Sequence, residues 1–188
     1  IIGVQEQPAR QRQGIDLAAA LSWRELRPGG PKHEGVGTKL TPAQRRSQIN
    51  ALALTGGLLL YSDDFERLAA ETLAEITTIQ QIAGECFNGR LLPWDMMEHE
   101  LPAILLNTAG YLGVFNMGPK RGRTVHVPLS AMHAEAETVN IIWNAEAPGD
   151  WSVLEEVWSG ERVRPERGQL VVGPLGPFES KLFWFVRG

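Results

Sequence analysis

The chain has 188 residues, with 18 Lys plus Arg against 22 Asp plus Glu and a formal charge of −4, which excludes a strongly basic polyanion binder. Its 43% hydrophobic and 21% charged residues exclude a wholly disordered chain. Cys86 is the single cysteine, so neither an internal disulfide framework nor a zinc site built on several thiolates is available.

No apolar run approaches the roughly 20 residues that span a bilayer. The longest, from Leu52 to Tyr61, is broken by Thr55-Gly56-Gly57 and reads as core of a soluble protein. The chain opens Ile1-Ile2-Gly3-Val4, without methionine or a basic segment before an apolar one, and is expected to be a fragment. Compartment is left open.

Residues 1–38 are rich in Arg, Gln, Gly and Pro and are expected to be a poorly structured or divergent lead, with a short apolar stretch at Ile15 to Leu21 and Trp23 as its only anchors. Thr41-Pro42-Ala43-Gln44 is a helix start: threonine caps, proline suits the first helical position, and Gln44 can close a capping box. The helix should run to about Leu54, with Ile49, Leu52 and Ala53 on one face, and stop at Gly56-Gly57. Leu58-Leu59-Leu60-Tyr61 reads as a strand buried on both faces of a parallel sheet. Ser62-Asp63-Asp64 ends it and offers N-caps to a second helix from Phe65 to Gly84, where Leu68, Thr72, Ile76, Ile79 and Ala83 recur at helical spacing.

Near residue 87 the texture changes, and long helical periodicity does not return. Short β-branched or aromatic runs at 101–106, 111–116, 124–129, 139–143, 152–158, 169–172 and 181–186 are separated by turn residues and predict an antiparallel sandwich. His126 should face outward, as should Phe183 or Trp184. The fold class is therefore α/β plus all-β, divided into a lead at 1–38, a helix-strand-helix at 39–88 and an antiparallel β domain at 89–188.

Few residues carry chemistry. Gly56-Gly57 precedes a strand rather than following one, so it suits a tight turn better than a phosphate cradle. Asp63 and Asp64 end a buried strand, the position that forms the active face of a (β/α) barrel, and are the substrate-binding candidates. Successive strand residues point to opposite faces, so at most one can line a site, and the pair is expected to act mainly as architecture, one of them capping the helix that begins near Phe65. His33, His99, His126 and His133 lack ligand spacing, and no Gly-x-Ser-x-Gly elbow exists, so no metal, cofactor, nucleic-acid or membrane partner is expected. Cys86 reads as a small buried side chain. Six tryptophans invite a sugar-stacking reading, although burial in the sandwich is the default for most of them.

The stretch from Leu52 to Leu68, Leu-Ala-Leu-Thr-Gly-Gly-Leu-Leu-Leu-Tyr-Ser-Asp-Asp-Phe-Glu-Arg-Leu, resembles the last barrel strand of melibiase-type alpha-galactosidases and its flanks. Gly113-Val-Phe-Asn-Met-Gly-Pro119 is similar to that family's Phe-Asn-Trp segment, and Val157-Trp-Ser-Gly160 to its Asp-Leu-Trp-x-Gly turn. Residues 172–185 resemble its closing strands, so the resemblance covers about residues 39–187.

It implies the last helix-strand-helix of an incomplete (β/α)8 barrel followed by a β-sandwich, from an enzyme releasing terminal alpha-linked galactose, or a related sugar, with retention. It also implies that the nucleophile strand lies before residue 1, so no catalytic residue is carried over. Relatives have a Trp-x-Asn-Asp-Pro-Asp segment where this chain has Trp23-Arg24-Glu25-Leu26-Arg27-Pro28. The fragment is expected to be inactive alone and prone to self-association. The alternatives are a noncatalytic β-sandwich that binds glycans through exposed tryptophans, and an interaction domain without sugar chemistry.

Overall fold

A computed structural model of the protein describes residues 40–57, 59, 66, 68–99, 101–119, 122–138 and 152–186. The expected strand at 58–61, the run at 139–143 and the lead at 1–38 lie outside the described residues, apart from Leu59.

Helix α1 spans Pro42–Thr55 and begins as its sequence requires. The Thr41 hydroxyl accepts from the Gln44 amide at 3.2 Å, and the Gln44 side chain accepts from the Thr41 amide at 2.9 Å. Gly56 ends α1 in the left-handed region, φ +60°, and donates its amide to the Ala53 carbonyl. A Cβ here would strike the Cys86 backbone, so Gly56 serves both the turn and a close crossing of the two helix ends.

Helix α2 spans Ala70–Cys86, which corrects both expected ends. Its N-cap is Ala69, which makes no side-chain capping bond, and Leu68 lies before it. At the other end Gly84 is exposed with open space around it. A single glycine costs about 1 kcal/mol in a helix interior; Ile79, Ile82, Ala83 and Cys86, buried along one face, outweigh it.

Among the described residues eight strands follow: β1 (Leu91–Pro93), β2 (Ile104–Asn107), β3 (Tyr111–Phe115), β4 (Arg123–Val127), β5 (Leu154–Glu156), β6 (Arg162–Val163), β7 (Leu170–Leu175) and β8 (Ser180–Phe185). A helix, α3 (Leu129–Thr138), lies between β4 and β5. Every described pairing is antiparallel, in a six-stranded sheet ordered β1-β2-β3-β8-β5-β6 and a two-stranded sheet of β4 and β7. The fold is a small α/β arrangement with antiparallel sheets.

The larger sheet is covered on both faces. Ile104, Leu106, Leu112, Val114, Phe183 and Phe185 pack toward Val125, Val127, Leu170 and Val172 of the small sheet and toward Leu129 and Met132 of α3. The intervening residues, Leu105, Tyr111, Phe115 and Leu182, pack on Ile49, Ala53 and Leu54 of α1 and on Ile76, Ile79 and Ile82 of α2. Strict period-2 alternation thus serves two cores, and β2 and β3 read as unbroken apolar runs. The same geometry corrects the outward reading of 182–185: Phe183 is buried between the sheets, and Trp184 is half-buried on the helix side. His126 is exposed, as expected.

Helix α3 also departs from the sequence reading. Leu129 closes no strand; it starts a helix whose buried Leu129 and Met132, three residues apart, fill the core between the sheets. Strand β7 extends beyond Val172 through Gly173-Pro174 to Leu175 because its register with β4 shifts there. A bulge tolerates a proline that a regular ladder would reject.

Candidate functional site

The sequence candidates Asp63 and Asp64 lie outside the described residues, in the connection from α1 to α2. Two described residues of that connection, Leu59 and Leu68, are half-buried and pack on the core between the helices and the large sheet.

What fixes α1 is a polar seam across that core. Asn50, fully buried, donates from Nδ2 to Ser180 Oγ at 2.9 Å and accepts from Trp158 Nε1 at 2.8 Å. The Arg46 guanidinium lies 3.8 Å from the centroid of the Trp158 ring and donates to Glu75 Oε1 at 2.8 Å, joining the β5–β6 turn to both helices. Ser47 donates to the Phe178 carbonyl at 2.6 Å.

A second buried amide closes the other end. Asn107 donates to the Leu54 carbonyl at 2.8 Å and, more weakly, to the Cys86 carbonyl at 3.4 Å, while its Oδ1 accepts from the Ala109 amide. One side chain thus satisfies carbonyls at the C-terminal ends of both helices, groups that helix geometry leaves unpaired. Sequence reasoning missed this seam: Asn50 and Ser180 are 130 positions apart, and neither belongs to a motif.

Several of the described acidic groups are engaged in local structure. Asp95, buried, accepts from the Ala103 and Ile104 amides. Glu156 accepts from the Ser159 amide, Glu179 from the Gly176 amide, and Glu85 from the Tyr111 hydroxyl at 2.7 Å. The hydrogen bond from Arg162 holds the Glu155 carboxyl below the usual range. Burial, with the neighbouring Glu85 charge adding to it, pushes the Cys86 thiol far up, so it is a poor nucleophile. Among the described residues no group of three His, Cys, Asp or Glu side chains could hold a metal, and no helix is long and apolar enough to cross a membrane.

The segments that carry the family resemblance have structural work. Asn116 is buried and bonds the Gly176 carbonyl at 2.7 Å. The 157–160 turn is closed by the Gly160 amide on the Glu156 carbonyl at 2.8 Å, with Gly160 at φ +70°.

No family model and no curated protein matches the sequence. Solved structures do match. A GH27 β-L-arabinopyranosidase from Geobacillus stearothermophilus is 16% identical with a TM-score of 0.54, over 79% of this chain and 31% of that one. Alpha-galactosidase I from Mortierella vinacea is 10% identical with a TM-score of 0.52, over 79% and 36%. An isomalto-dextranase from Arthrobacter globiformis, complexed with panose, is 12% identical with a TM-score of 0.50, over 79% and 24%.

The chain spans about a third of the length of the first of these and less of the last. At such identities the likeness is one of fold: the chain shares the fold of a part of melibiase-type glycosidases and related sugar-cleaving enzymes.

Proposed function

We propose that this chain is the C-terminal part of a retaining glycoside hydrolase of the alpha-galactosidase kind, acting on a terminal alpha-linked galactose or a related sugar. Residues 39–88 would be the last helix-strand-helix of its (β/α) barrel, and residues 89–188 its β domain. The observation that carries the reading is the agreement of two likenesses, one of motif and one of fold. The motif from Leu52 to Leu68 resembles one family, and the folded helix pair on a two-faced antiparallel sheet matches solved glycosidases that include an alpha-galactosidase. Those neighbours act on different sugars by their names, so galactose rests on the motif alone.

Such chemistry needs two carboxylates about 5–5.5 Å apart, one as nucleophile and one as acid/base, around an oxocarbenium-like transition state. Both belong to earlier barrel strands in this reading, with Asp63 and Asp64 as sugar-contacting candidates. The longer protein should hydrolyse an aryl alpha-galactoside and this chain alone should not; turnover by the chain alone would overturn the assignment. In the longer protein, Asp63→Asn and Asp64→Asn test the pair. A hundredfold or larger fall in kcat/KM at unchanged melting temperature is expected for the one that contacts sugar. Full turnover in both removes the pair from the site.

The glycan-binding alternative gains nothing from the described tryptophans. Trp158 is held by Asn50 and Arg46, Trp184 packs on the helix-side core, and Trp94 packs on the core between the sheets. Titration of tryptophan fluorescence with galactose should show no saturable change for this chain.

A further inference from the structure

We draw no further inference here: the strongest candidate, the open cleft between the start of α3 and the 166–169 turn, is lined by the exposed polar side chains of Ser130, Glu166, Arg167 and Gln169, and nothing in the structure shows what ligand covers it.

Discussion

Asn107 serves three elements at once, and its loss should be felt accordingly. In Asn107→Ala the Leu54 carbonyl would stay buried without its donor, at a cost of about 1–3 kcal/mol, well above a typical surface substitution. Urea unfolding should show a lower midpoint with an unchanged slope; a midpoint equal to wild type would mean that the seam contributes nothing. Cys86 makes a pH-dependent contribution. Its folded pKa lies above that of an unfolded thiol, so the folded chain keeps a proton that the unfolded chain releases above about pH 8.5. This contribution is intact below that pH, and stability falls as the pH rises, by up to about tenfold in the unfolding constant per pH unit. Comparing urea midpoints at pH 7 and 9.5, Cys86→Ala should lose less stability on the alkaline side than wild type; equal losses would place the thiol in solvent.

The two helices differ in how much of their limits the sequence states. Thr41, Pro42, Gln44 and Gly56 are local signals, satisfied by neighbours within four positions, so α1 was legible to within a residue. Helix α2 starts at Ala70, later than the expected Phe65, and its N-cap residue Ala69 offers no capping side chain. The long-range packing of Thr72, Ile76 and Ile79 governs its described extent. Ala69 has extended backbone, φ −67° and ψ 150°, suitable for a cap. Ala69→Ser should therefore stabilise the protein by about 0.5–1 kcal/mol, read as a rise in melting temperature, whereas Thr41→Ala should cost about 1 kcal/mol. A fall for Ala69→Ser would indicate that α2 begins elsewhere. Helix α3 was illegible for a related reason: Val125, Val127 and Leu129 read as one alternating run until the core between the sheets is seen to take Leu129 from a helix.

For the molecule as a whole, the large sheet is a shared wall between two cores, and Gly113 marks a close approach to α1. A Cβ there would meet the Leu54 side chain and the Phe115 ring, so Gly113→Ala should cost about 1–3 kcal/mol through overpacking. The sequence announced antiparallel strands from about residue 90 but not that both faces would be buried, because runs such as Ile104-Leu105-Leu106 do not say which neighbour covers which face. Phe87, Met96, Met97, Leu101 and Val171 remain as exposed apolar side chains. We expect the isolated chain to self-associate, and a sharp monomer peak in size-exclusion chromatography at high concentration would contradict this.

The most direct measurement is a proton NMR time course of aryl alpha-galactoside hydrolysis by the longer protein that the proposed function requires. The expected result is alpha-galactose as the first anomer released, followed by slow mutarotation, as a retaining carboxylate pair requires. Beta-galactose appearing first, or no hydrolysis at all, would contradict it.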